Sequence, residues 1–158
     1  MLMKNFLRSA VLAAVLTMIA GVAYAHVTIQ PKQSTAGATE KYTMRVPTEK
    51  FVPTVRVEVE FPAALNVSSF EPKPEWKIEE KKDASGKLIG VTLTGSLGPG
   101  ESTQFNFTAR NPGEESKLSF KAIQIYEDGT KSEWTGPEGS RTPAPIVEVR
   151  NPATNSSK

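Results

Sequence analysis

Cysteine is absent from the 158 residues, and histidine occurs once. The first absence excludes a disulfide scaffold, a thiolate metal site, a type 1 blue-copper centre and a cysteine nucleophile. The second excludes any multi-histidine metal site in one chain and makes a Ser-His-Asp triad depend on a single residue. Methionine is scarce as well. Three of its four occurrences, Met1, Met3 and Met18, lie in the first 25 residues, so Met44 stands alone in the remainder and a Met-rich Cu(I) site is excluded. Past residue 25 no apolar run is long enough to span a bilayer, and no amphipathic helix of ten or more residues is legible.

With 38% apolar and 23% charged residues the chain has the balance of one globular domain. Residues 1–25 read differently. Lys4 and Arg8 precede an apolar run from Ala10 to Ala20, and Ala23-Tyr24-Ala25 has the small-x-small form of a cleavage site. This is a secretory signal peptide, with cleavage expected after Ala25 and a soluble product expected outside the cytoplasm, secreted or periplasmic and without a membrane anchor. Cleavage takes Lys4 and Arg8 from the 19 basic residues and leaves them equal in number to the 17 acidic ones. A neutral, mixed surface offers no electrostatic case for nucleic acid or an anionic membrane.

From His26 onward the period is two. Val55, Val57, Val59 and Phe61 alternate with Arg56, Glu58 and Glu60; Tyr42, Met44 and Val46 and then Phe105, Phe107 and Ala109 repeat the pattern. Turn chemistry stops each run: Pro47, Pro53, Pro62, Asp83 to Gly86, Gly98-Pro99-Gly100, Asn111-Pro112-Gly113 and Asp128-Gly129. Strands are expected near 27–30, 39–46, 54–61, 66–70, 76–82, 88–94, 103–110, 117–126, 130–135 and 145–150. Many short strands without helices predict an all-β antiparallel sandwich, immunoglobulin-like or cupredoxin-like, over residues 26–150, followed by a disordered polar tail at 151–158. Asp128-Gly129 suits a two-residue type I′ turn, which would set Glu127 opposite Thr130 and Trp134 opposite Ile123.

Cleavage after Ala25 would make His26 the first residue, where a histidine gains a second donor. A free α-amine has a reference pKa of about 7.7–8.0, low enough for a metal to displace its proton at neutral pH. Amine nitrogen and imidazole Nδ1 of one residue close a six-membered chelate, and two neutral nitrogens in a tetragonal arrangement favour Cu(II). The plain alternative is a histidine that tunes cleavage or bonds locally.

His26-Val-Thr-Ile-Gln-Pro31, Pro74-Glu-Trp76-Lys, Gly100-Glu101 with Phe105, and Gln124-Ile-Tyr-Glu-Asp-Gly129 with Trp134 and Pro143-Ala-Pro145 occur in that order. Together they resemble the YcnI-type copper-binding domain of bacterial secreted proteins, over essentially all of the chain after residue 25. The resemblance implies a β-sandwich that binds one Cu(II) through an N-terminal monohistidine brace, in which a glutamate joins the amine and imidazole and a tryptophan lies beside the metal. By position the brace is His26 and the tryptophan is Trp134. Glu101, after the Gly-Pro-Gly turn, is the glutamate of choice; Glu127 competes but lies several pairs from Trp134 along the hairpin. The resemblance further implies a metallochaperone in copper acquisition or homeostasis, exchanging metal with a copper-transporting membrane protein or another extracytoplasmic carrier. Members of that family often carry a C-terminal anchor, for which this sequence shows no segment.

Trp76 reads as core or sheet edge, and Glu79 to Asp83 as a solvated strand end and turn. Gly95 to Gly100 is no phosphate loop, because neither a helix nor a Lys-Ser/Thr pair follows. Two further functions compete with a copper carrier. A metal-free envelope or adhesion sandwich would leave tryptophan fluorescence unchanged on adding Cu(II). A copper oxidase resembling polysaccharide monooxygenases would need a second histidine that is missing, so no enzyme is expected.

Overall fold

The computed structural model describes residues 26–152, and among them the period-two runs are realised as twelve strands with no helix. They are β1 (Thr28–Gln30), β2 (Gln33–Thr35), β3 (Thr39–Pro47), β4 (Thr54–Glu60), β5 (Asn66–Phe70), β6 (Lys77–Lys82), β7 (Leu88–Leu97), β8 (Ser102–Arg110), β9 (Ser116–Ser119), β10 (Lys121–Tyr126), β11 (Lys131–Trp134) and β12 (Ile146–Arg150). In β3 the buried residues are Tyr42, Met44 and Val46, and in β8 they are Phe105, Phe107 and Ala109. The two strands pair antiparallel from Thr39 opposite Arg110 to Pro47 opposite Ser102, so both apolar rows face the same core.

The large sheet runs β1-β3-β8-β5-β7-β4-β10-β11, with β6 added on β7; a second sheet runs β2-β12-β9. The large sheet curls until residues beside its two end strands touch, His26 ahead of β1 and Trp134 at the end of β11. Leu118 of β9 and Val147 and Val149 of β12 close the core from the small sheet. Tyr42, Phe61, Phe107 and Phe120 stack at its centre, with ring centroids 5.2–6.4 Å apart. This is the all-β, immunoglobulin-like sandwich that the alternation predicts, antiparallel except where β2 runs parallel to β12.

Three local expectations are corrected. The run at 117–126 is two strands in different sheets: Phe120 is fully buried between them, and its N–H donates to Pro145 O at 2.9 Å. The alternation continues through that change of sheet, which is why the sequence hides it. Strand β2 lacks an apolar row and is held by side chains instead: Asn111 Nδ2 donates to Ser34 Oγ and Thr35 O, both at 2.8 Å, while Tyr42 Oη donates to Asn111 Oδ1. Strand β7 continues past residue 94 to Leu97. The expected leader at 1–25 and residues 153–158 of the expected tail lie outside the described residues.

Candidate metal centre

Strand pairing fixes where His26 stands. Thr28 of β1 lies opposite Arg45 of β3, and continuing that register sets His26 level with Pro47. The His26 ring is half-buried and its centroid lies 5.6 Å from that of Trp134, with the planes at 59°.

Trp134 reaches that position by a register different from the one expected. The hairpin loop has three residues, Glu127 to Gly129: Gly129 N–H donates to Tyr126 O, and Tyr126 N–H to Thr130 O, both at 2.9 Å. Gly129 has a φ of 80°, whereas Asp128 does not take the positive φ that a type I′ turn needs. The Asp128 carboxylate instead accepts Thr130 N–H at 2.9 Å and the Thr130 hydroxyl at 2.7 Å, which holds it below its ordinary pKa. Trp134 therefore pairs with Ala122 rather than with Ile123. A shift of one residue turns a side chain to the opposite face. Trp134 lies inside, with 3% of its surface exposed.

The indole is tethered there. Its Nε1–H donates to Gln124 Oε1 at 3.1 Å, and Gln124 is fully buried. Gln124 Nε2 donates in turn to Pro47 O at 2.7 Å and to Thr54 Oγ1 at 2.6 Å. The sequence reading missed this residue, because the alternation favours Ile123 and Ile125 as the core positions of β10 and both are only half-buried. A lone amide between two isoleucines was the available signal.

Glu101 occupies the turn between β7 and β8. Its carboxylate accepts Gly98 N–H at 2.7 Å, and Thr48 N–H donates to its main-chain oxygen at 2.9 Å. Pro47 is opposite Ser102, so Glu101 stands at the same end of the large sheet as His26, two strand spacings away, about 10 Å between main chains. Glu127 sits at the exposed hairpin tip, its N–H on Pro53 O at 2.9 Å. Tyr126, beside it, is four residues along β10 from the partner of Trp134, about 13 Å. The structure thus brings His26 and Trp134 into contact and sets Glu101 nearby in the strand order, with Glu127 apart.

A cleft of about 360 Å³ opens beside His26, walled by Pro143 and by Lys32, Glu138 and Glu148. Both carboxylates have cationic partners: Lys117 stands 3.3 Å from Glu138, and Arg150 is 2.5 Å from Glu148. Among the described residues no group of three His, Cys, Asp or Glu side chains could hold a metal ion. The imidazole together with a free His26 amine would suit a Cu(II) ion. Trp76 plays no part: it stands edge-on to Phe105 at 5.0 Å and covers Gly95, as a core residue does.

Comparison with known proteins places this geometry in context. A family model described as a domain of unknown function (DUF1775) matches residues 26–154. The copper-binding protein CutI of Bacillus subtilis (strain 168) is 38% identical over 129 residues, which cover 80% of this chain and 63% of that protein. The match thus spans less than two thirds of the relative's length. Among solved structures, an uncharacterized protein from Nocardia farcinica with an immunoglobulin-like fold superposes with a TM-score of 0.69 at 29% identity, over 80% of this chain and 99% of the other. A cohesin module from a Clostridium perfringens family 33 glycoside hydrolase superposes at 0.53 with 13% identity, covering 80% and 97%, a likeness of fold alone. Among the described residues no helix is long and apolar enough to cross a membrane.

Proposed function

The chain belongs to the DUF1775 family, the YcnI-type domains that its sequence resembles, and on that premise we propose that it is an extracytoplasmic Cu(II) carrier whose metal site is its own processed N-terminus. Cleavage after Ala25 frees the His26 amine. That amine and the imidazole of the same residue chelate one Cu(II), the Glu101 carboxylate supplies an anionic oxygen, and Trp134 shields the metal from the core side.

The observation that carries this reading is the contact of the one histidine with Trp134, between strands from opposite ends of the sheet. Curling 127 described residues so that position 26 meets a buried indole gives the first residue a defined pocket. The donor set suits the oxidised ion: two neutral nitrogens and one carboxylate are hard enough for Cu(II), and no thiolate or thioether is supplied for Cu(I). First-row ions sit about 2 Å from nitrogen and carboxylate donors. A main-chain separation of about 10 Å is within reach of a chelating first residue on one side and an extended glutamate on the other. The indole face adds a modest cation–π attraction. A carrier must also give its metal up, and the cleft beside His26 leaves one side of the residue open to a partner. We place that partner among copper-transporting membrane proteins or other extracytoplasmic copper carriers.

Electron paramagnetic resonance of protein beginning at His26, loaded with one equivalent of Cu(II), tests the assignment. Nitrogen couplings from amine and imidazole are expected, lost in His26→Ala, with the spectrum altered in Glu101→Ala. Identical spectra from all three proteins would refute it.

A further inference from the structure

The Trp134 indole starts a chain of hydrogen bonds that ends on the Glu101 carboxylate. Its first link is the Gln124 carboxamide, whose orientation is fixed by its neighbours. Pro47 O only accepts and the indole N–H only donates, so Nε2 must face the carbonyl and Oε1 the indole. A flipped amide would set like against like at both ends.

The next links run through two threonine hydroxyls and a peptide group. Thr48 Oγ1 lies 3.4 Å from Leu97 O, a pure acceptor, at the long end of hydrogen-bond distance. Thr54 Oγ1 accepts from Gln124 Nε2 at 2.6 Å, and its hydroxyl shares a 2.7 Å hydrogen bond with that of Thr48, in which either can donate. Leu97 O and Gly98 N–H are two ends of one peptide group, and Gly98 N–H donates to Glu101 Oε2 at 2.7 Å. The buried members are joined without a gap from the indole to the Thr48 hydroxyl, so each bond polarises its neighbour. Gln124 and Thr54 are fully buried and Thr48 is 2% exposed, which keeps water from these members, while the Gly98–Glu101 bond at the end of the chain is exposed. Main-chain bonds lock the far end: Thr48 N–H to Glu101 O and Gly100 N–H to Thr48 O, both at 2.9 Å.

A buried carboxamide costs free energy that a leucine or methionine would not, unless each of its polar atoms is used. Here each is used, and the groups it joins are the indole beside His26 and the segment carrying Glu101. We propose that Gln124 is a positioning residue of the metal site, and that the relay through Thr54, Thr48 and the Leu97–Gly98 peptide holds Trp134 and Glu101 in fixed relation. This inference rests on the copper reading given above. It adds a residue that touches neither metal nor ligand atom. It also gives Glu101 a defined pose: Oε2 is held by Gly98, and Oε1 is left for the ion. An ionised glutamate at position 124 would face Pro47 O without a proton to give, and a methionine would serve neither end.

The test uses protein beginning at His26, labelled with nitrogen-15. In Gln124→Met the Trp134 indole resonance and the remote Gly98 amide resonance are both expected to move. Thr54→Val replaces the middle hydroxyl by a methyl of similar size and serves also if Gln124→Met does not fold. It should weaken Cu(II) binding about tenfold and change the copper hyperfine splitting, whereas Thr54→Ser, which keeps the hydroxyl, should restore both. Wild-type affinity and spectrum in folded Thr54→Val overturn the positioning role alone. Failure of the wild-type protein itself to take up Cu(II) overturns the copper reading and the positioning role with it.

Discussion

Adding one residue ahead of His26 should abolish tight Cu(II) binding without disturbing the fold. The addition precedes β1, whose first paired residue is Thr28, so no strand pairing changes. It turns the amine into a peptide nitrogen and opens the chelate ring. No second imidazole or thiolate can replace the lost nitrogen: the chain has one histidine and no cysteine, and the described residues hold no group of three His, Cys, Asp or Glu side chains that could hold a metal ion. Loss of one of two chelating nitrogens should weaken binding at least a hundredfold, about 2.8 kcal/mol at ~1.4 kcal/mol per tenfold. The amine also predicts a signature in pH. Below its reference pKa of about 7.7–8.0 a proton competes with the metal, and affinity should fall about tenfold for each further unit. The extended variant should lack that slope. Competition titration against a chelator of known affinity, from pH 6 to 8, measures both effects. An extended protein that binds within threefold of the mature one would refute the argument.

Three other outcomes follow from the packing and the charges. Trp134→Phe leaves Gln124 Oε1 buried without its donor and should cost roughly 1–3 kcal/mol in urea unfolding; an unchanged midpoint would count against the tether. In Gly95→Ala the new methyl would lie 2.4 Å from Trp76 Cδ2, so the indole must leave its place against Phe105. Overpacking of that kind costs about 1–3 kcal/mol, while Cu(II) affinity should stay within twofold. Acid should destabilise the fold through three exposed carboxylates held below their ordinary pKa: Glu71 by Lys41 and Asn106, Asp83 by Ser85 and Lys87, and Asp128 by Thr130. A lowered folded pKa contributes stability that is present above the unfolded value and is lost as pH falls through the folded one. Thermal midpoints should therefore decline below about pH 4.5, and less steeply in Asp128→Asn; a midpoint flat down to pH 3 would contradict this.

Much of the fold is legible in the chain because a strand buried on one face writes its orientation into every second residue. Tyr42, Met44 and Val46, and Phe105, Phe107 and Ala109, declare their inner face locally, and Pro and Gly mark where they stop. The chemistry proposed for His26 is equally local, since it depends on the cleavage expected next to it. Where strands go is not local. The change of sheet at Phe120 interrupts no pattern, and β2 has no pattern to read, being held by Asn111 from far along the chain.

What the sequence by itself determined is therefore the all-β class, the inner faces of the main strands and the presence of one histidine, for which the two-nitrogen role is our proposal. Tertiary structure alone decided that His26 meets Trp134, that the hairpin shifts Trp134 by one residue to the inside, and that Gln124 is buried between two isoleucines that are not. The reason is physical: alternation and turn chemistry depend on neighbours one or two residues away, whereas register, sheet closure and the satisfaction of a buried amide depend on partners 70 or more residues distant, such as Thr54 and Pro47 for Gln124.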